Sequence, residues 1–461
     1  WHALRRVPEF SMEEIMKKII SIAVIFALVA ASAFAGISGN ANIKLGYDFT
    51  SGAYGFKNGD SVSVDVELAS ETAEALGEGD VFAGVKASLS LLLANEDVDD
   101  DPSIWTDGAN LALGAFFSID EAYVSGQDWK VAITGTQSAP DFAKSAIDTV
   151  AADVYNVFGN VVDTKYVAKS YKVSVNKAPG VTASYKDWKV AAGFNGGKAD
   201  ASTSAPDFFN YHVSAFTPSL TVAEGLTVKA AAVASGIKNA TKKVGDNKVY
   251  DETKNYDAFG ASAQVDYAAD AFSASVAADF GMKKTVGTDS FKADFDIAGK
   301  VTFAPITADV YFSRVLEKNW LSAKVSGSYE GISGNIYAQD ILGDDVKIGA
   351  NAEYTADAVT VGGGAWFKTT SKAMEVSANV KYAAEKFTAK AGVTFGTNLD
   401  VDDMSYFFVT GSVESDAIIN GATLSLAYGK DSANNKMNFL DDQLGREQNF
   451  GAVTAKCTIA F

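Results

Sequence analysis

The 461-residue chain contains one cysteine, Cys457, and two histidines, His2 and His212. A lone thiol closes no internal disulfide, so no disulfide framework holds the fold. Two histidines supply almost no material for a histidine-based metal centre or a catalytic triad. His212 lies in the alternating stretch 211–216 and reads as a strand residue rather than a ligand. Cations are short as well, 39 Lys and Arg against 57 Asp and Glu, for a net charge of −18. That balance repels nucleic acid and anionic lipid and argues against a phosphate-binding role. Beyond residue 35 no segment stays apolar for 18 residues, which excludes later helical membrane spans. The acidic runs 97–101 and 399–403 lack the glycine and distal glutamate of a calcium-binding loop and read as solvated. Glycine pairs such as Gly196-Gly197 lack the strand-to-helix context of a phosphate cradle and belong to turns.

Met16-Lys17-Lys18 forms a short cationic region, followed by an apolar run from Ile19 to Ala31 and the small-x-small site Ala33-Phe34-Ala35. This is the layout of a cleaved secretory signal, too short and wrongly flanked for a permanent membrane helix. The expected organisation is an upstream leader over residues 1–15, a signal peptide over 16–35 and one domain over 36–461. Removing the first 35 residues leaves 35 cations against 54 anions, a net charge of −19 on 426 residues. With 40 glycines and only 7 prolines in the chain, the composition suits strands and tight turns.

Period-two alternation begins at once. Ile37, Gly39, Ala41, Ile43, Leu45, Tyr47 and Phe49 alternate with Ser38, Asn40, Asn42, Lys44, Gly46 and Asp48. The pattern recurs at 62–68, 81–91, 291–303, 359–367 and 374–382. Segments of about ten residues, apolar on one side only, match a tilted membrane strand. A soluble sandwich alternates too, and the spacing of the aromatics separates the two. Phe259 and Tyr267, Phe272 and Phe280, Phe295 and Phe303, and Phe387 and Phe395 each stand eight residues apart. Eight residues of strand tilted near 40° cover roughly 20 Å of barrel axis, close to the height of an outer-membrane apolar band, so two aromatic girdles are expected.

Connections alternate between short and long. Tight turns fall at Lys186-Asp187, 223–225, 268–271, Ala304-Pro305, 355–358 and 383–386, and longer polar stretches at 195–208, 236–257, 396–403 and 430–448. Short turns on one rim and long loops on the other are the layout of an up-and-down barrel with both termini on the short-turn, periplasmic side. An even strand number follows; the count favours 22, within a range of 16 to 22, with 171–185 read as one long strand. A barrel that wide carries a plug in known cases. None precedes the first strand, so either the count is lower or outer loops fill the lumen.

The final segment alternates Val453, Ala455, Cys457, Ile459 and Phe461 with Thr454, Lys456, Thr458 and Ala460 and ends on an aromatic. Cys457, Ile459 and Phe461 resemble the terminal recognition strand that the barrel-assembly machinery reads. Together with the signal, the immediate first strand and the acidic loops, this resembles porin-type outer-membrane proteins, in the style of spirochaetal outer-membrane or outer-sheath proteins. The resemblance implies an all-β transmembrane antiparallel barrel without cofactor, set in outer-membrane lipid and passing small hydrophilic solutes or ions. A homotrimer is compatible with it. An alternative of another class is a surface barrel serving mainly as adhesin or structural protein. An enzyme would need a clustered acid, base or nucleophile, which the scarcity of His and Cys disfavours.

If the apolar set faces lipid, the alternate set faces the lumen: Lys44, Asp65, Glu67, Lys86, Lys189, Asp266, Lys292, Asp294, Asp296, Lys300, Glu375, Lys381 and Lys390. So many charges on an inner face call for a hydrated interior. The third outer loop, about 137–165, places Phe142, Ile147, Val150 and Val154 near helical spacing with Asp141, Asp148 and Asp153 among them. By analogy with general porins it folds inward as a constriction, and its carboxylates favour cations.

Overall fold

The computed structural model describes residues 37–49, 54–57, 61–69, 80–95, 105–106, 111–134, 142–143, 180–197, 208–238, 241–244, 247–250, 255–285, 291–315, 317–399, 405–419, 421–429, 439 and 450–460. The leader, the signal segment, Asp141, Asp148, Asp153, Phe461 and both acidic runs apart from Leu399 lie outside them, as do residues 171–179.

Strand follows strand along the chain, each antiparallel to its predecessor. In order they are Ile37–Asp48, Ser61–Ala69, Phe82–Asn95, Leu111–Ser125, Trp129–Thr134, Gly180–Tyr185, Trp188–Gly197 and Phe208–Phe216. Leu226–Lys238, Tyr256–Ala268, Phe272–Thr285, Lys292–Phe303, Ile306–Val315, Lys318–Tyr329 and Ile332–Gln339 follow. Lys347–Ala356, Val359–Lys368, Ala373–Ala383, Thr388–Asn398, Ser405–Ile419, Ala422–Gly429 and Ala452–Ala460 complete the set. The first and last strands pair over nine residues, from Asn40 opposite Ala460 to Asp48 opposite Ala452, while the first also pairs with Ser61–Ala69. Following the ladders from neighbour to neighbour therefore returns to the start after 22 strands. Closure gives every strand a partner on both sides and removes the exposed edges on which open sheets aggregate. The fold is a transmembrane-type antiparallel up-and-down β-barrel, and no helix occurs among the described residues.

Five short pieces decorate the connections. Leu220–Ala223 lies against the start of Leu226–Lys238 with a register shift, and Tyr54–Lys57 pairs with both the first strand and Trp105–Thr106. Thr241–Val244 and Asn247–Tyr250 form a separate hairpin inside the stretch 236–257, which carries more order than its polar composition suggests. Tight turns stand at Lys186-Asp187, Glu224-Gly225, Ala304-Pro305, Glu330-Gly331 and Asp357-Ala358. Gly331 and Gly225 adopt the left-handed conformation that such turns require, with φ of 82° and 71°. The start of the first strand and the end of the last meet on the rim of these turns, because Asn40 stands opposite Ala460.

The two faces of the sheet differ in chemistry. Along Phe272–Thr285 the large apolar side chains Phe272, Val276 and Phe280 are exposed, whereas Ala277 and Asp279 between them are buried. The same division runs through Ile297, Val301 and Phe303, through Val310, through Ile336 and through Val359 and Val361. An exposed apolar face continuing from strand to strand far exceeds the few hundred Å² that water-facing monomers tolerate. It is the surface a bilayer solvates, and burying charge there would cost several kcal/mol per group.

Candidate functional site

The inner wall is built by the alternate residues of the same strands, so its chemistry follows from register. Glu67 stands opposite Lys86, and Lys86 opposite Glu121, whose carboxylate pairs with Lys130. Lys300 stands opposite Asp309, and Asp309 opposite Lys324. Opposite charges directly across a ladder stabilise it by a few tenths of a kcal/mol, roughly up to 1. Asp65 lies opposite both Ser38 and Ser88, Lys189 opposite Ser184, and Asp266 opposite Ser275, so these also belong to the inward set. Lys292 reaches Glu317 at 3.6 Å.

The third long connection joins Trp129–Thr134 to Gly180–Tyr185, and its two described residues lie inside the ring. The backbone N–H groups of Phe142 and Ala143 donate to the carboxylate of Asp279, at 3.0 and 2.9 Å from Oδ2, and the Ser262 hydroxyl donates to Oδ1. Ala143 has no exposed surface, and Asp279 is buried with it. Lys229 Nζ stands 4.8 Å from the centre of the Phe142 ring. Phe142 and the inward residues Gln264, Ser275, Lys300 and Tyr311 line a cavity of about 140 Å³.

Two of the expected water-lining residues are not in water. Asp294 and Asp296 are buried, and Asp296 accepts a hydrogen bond of 2.9 Å from Tyr311. Asp296 is the direct cross-strand neighbour of Asp279. The Tyr311 hydroxyl replaces part of the solvation that Asp296 loses, since a buried carboxylate is stabilised by hydrogen bonds. Glu375 is likewise engaged, accepting from Trp366 Nε1 at 3.2 Å and from the Tyr406 hydroxyl. Lys347, fully buried, lies 4.5 Å from the Trp366 ring centre and 5.9 Å from that of Tyr337. The result is an aromatic and charged wedge against the wall.

Lys44, Lys381, Lys390 and Lys456 line a separate cavity of about 960 Å³. His212 is buried on the inner face with Nε2 3.2 Å from Ser214 Oγ, and among the described residues no cluster of metal-ligating side chains occurs.

On the outer face, Phe259, Tyr267, Phe272, Phe280, Phe303, Phe387 and Phe395 are all exposed, while Phe295 is half-buried against Phe312 with centroids 5.8 Å apart. Tyr267 and Phe272 meet across one turn at 6.1 Å, and Tyr382 and Phe387 across another at 5.9 Å. In the last strand Cys457 is half-buried and Ile459 buried.

Alternation alone did not single out Asp279, Tyr311, Trp366, Tyr406 or Lys456, although each falls at an inward position. Their roles come from partners distant in sequence. Phe142 stood in the proposed constriction loop, but nothing local indicated that its own N–H would dock on the wall.

No protein-family model matches the sequence, and no curated protein matches it. Among solved structures, the chain is similar to a siderophore receptor, PirA, from Pseudomonas aeruginosa, at 8% identity over 93% of this chain and 80% of that one, TM-score 0.45. It is similar to the P pilus usher PapC translocation pore at 9% identity over 92% and 98%, TM-score 0.38. A substituted porin of Rh. blastica gives 12% identity over 59% and 100%, TM-score 0.32. Likenesses this distant say nothing of solute or mechanism, and the architecture rests on the strand pairing itself.

Proposed function

We propose that this protein is an outer-membrane channel giving passive diffusion of small hydrophilic solutes, exported by the signal segment 16–35 and inserted by the barrel-assembly machinery. One observation carries the reading: a closed ring presents apolar side chains such as Val276 outward and charged ones such as Lys300 and Asp309 inward. Such a wall suits water and ions, and the docked Phe142–Ala143 segment narrows the passage it bounds. Conduction of this kind needs no bond chemistry, so the protein acts without catalysis or cofactor. The net charge of −19 left after the signal is removed, with the carboxylates of the third outer loop, raises the local cation concentration at the mouths and gives cation preference among small ions. Stable current steps after insertion into a planar bilayer support the reading. A refolded, inserted protein that carries no current overturns it, and an anion-selective reversal potential in a salt gradient overturns the preference.

A further inference from the structure

We propose that the lysine sector of the lumen is a binding site for polyvalent oxyanions, small solutes bearing phosphate or paired carboxylate groups. It rests on the channel reading only in that the cavity faces the solute path. Lys381 stands directly opposite Lys390 on neighbouring strands, and Lys44 directly opposite Lys456. All four line the one cavity of about 960 Å³, where Glu353 is the single carboxylate among the described lining residues. Like charges directly across a ladder are destabilising. Unlike Lys381 and Lys390, two other like pairs on the inner wall are compensated: Lys292, opposite Lys283, reaches Glu317, and Lys368, opposite Lys347, lies 3.4 Å from Asp345. Lys381, Lys390 and Lys456 form no ion pair among the described residues. The neighbours are hydrogen-bonding hydroxyls rather than acids: Thr360 lies opposite Lys381, Ser412 opposite Lys390 and Ser425 opposite Lys456. Ammonium groups with hydroxyls between them are what a multiply charged oxyanion requires, by charge and by donor count. The net negative charge of the chain sets the monovalent cation preference and argues against phosphate binding by the surface at large, whereas this binding is set by one local constellation of lysines that the net charge does not reveal.

The test uses inorganic pyrophosphate with the refolded full-length protein, read by calorimetry in detergent and by single-channel block in a bilayer. Wild type is expected to bind with an affinity that falls steeply with salt. The double variants Lys381→Gln/Lys390→Gln and Lys44→Gln/Lys456→Gln are each expected to bind about tenfold more weakly or worse. Lys381→Arg/Lys390→Arg, which keeps both charges, is expected to retain binding. No calorimetric binding by wild type, or unchanged affinity in both Gln variants, overturns the proposal. Lysine-dependent binding by a protein that passes no current leaves the site standing and removes the channel reading instead.

Discussion

The carboxylate of Asp279 holds the backbone N–H of Ala143 at 2.9 Å, joining two residues 136 positions apart in the chain. The N–H of Phe142 and the hydroxyl of Ser262 converge on the same group, so one side chain satisfies three donors from two separate elements. A buried charged acceptor of this kind is strong per bond, and losing it leaves its donors unsatisfied at about 1–3 kcal/mol each. Asp279→Ala is therefore expected to release the Phe142–Ala143 segment from the wall. Single-channel recordings should show a larger and noisier conductance than wild type, while Asp279→Asn, which keeps one accepting oxygen, falls between the two. Identical conductance in all three proteins would mean that the segment does not bound the path.

The ring itself was legible from the sequence because alternation determines the face of each residue, and a charge such as Lys300 can face only one way beside Val301. An even strand count followed from the same logic, within a range of 16 to 22, and the pairing of the strands settles it at 22. The inner packing was not legible. Alternation places Asp294 and Asp296 inward but cannot say that they will be buried beneath other groups, because that depends on contacts with Tyr311 and the loop docked nearby. The pairing of Lys44 with Lys456 was equally hidden, since these residues meet only when the first strand finds the last.

Rings laid flat over glycines form a second device that composition does not announce. Tyr337 stands opposite Gly349, Tyr406 opposite Gly396 and Tyr123 opposite Gly84. A Cβ added at any of these glycines would run into the facing tyrosine ring. The absent side chain makes the groove in which the ring lies, and this lets bulky rings hug the wall instead of crossing the lumen. Gly349→Ala and Gly396→Ala are each expected to destabilise the barrel by about 1–3 kcal/mol, as overpacking does. Urea unfolding in lipid vesicles, followed by tryptophan fluorescence, reads the loss; unchanged midpoints would mean that the rings shift at no cost.

The long-loop rim contains a pH-sensitive clasp. Asp345, between Ile332–Gln339 and Lys347–Ala356, accepts hydrogen bonds from Thr370 N–H at 2.9 Å, Ser371 N–H at 3.0 Å and Ser371 Oγ–H at 2.8 Å. Burial opposes its ionisation, but the Ser371 and Thr370 donors and Lys368 outweigh burial and hold its carboxyl below the usual range. Nearby Asp340 is shifted the other way, chiefly by burial and further by Asp345 and Asp344, against the pull of Lys368. A depressed carboxyl stabilises above its unfolded value near 4 and loses that contribution as pH falls through the folded value, whereas a raised one stabilises below and loses it as pH rises. The clasp is thus expected to be tightest in the mildly acidic window between the two. Hydrogen exchange at the Thr370 and Ser371 amides should show greatest protection there, declining toward strong acid, and Asp345→Asn should abolish the acid-side decline. Protection independent of pH would contradict this account.

Val276 separates a membrane barrel from a soluble one. It is 55% exposed, lies on the outer face between Phe272 and Phe280, and so sits at mid-height of the apolar band. Its neighbour Ser275 points the opposite way, beside Asp266 and Lys300. A lysine at a hydrocarbon-facing midplane position costs roughly 2–4 kcal/mol, and one facing a wet lumen costs little. Val276→Lys is expected to lower the stability of the vesicle-inserted protein by that amount and to reduce the yield of inserted barrel, while Ser275→Lys, set between Asp266 and Lys300 so that attraction on one side offsets repulsion on the other, costs less and keeps the yield. On a water-facing sheet the ranking has no reason to appear, because exchanging an exposed valine for lysine would relieve an apolar surface. Equal stability of the two variants in vesicles would therefore remove lipid from the outer face of the ring.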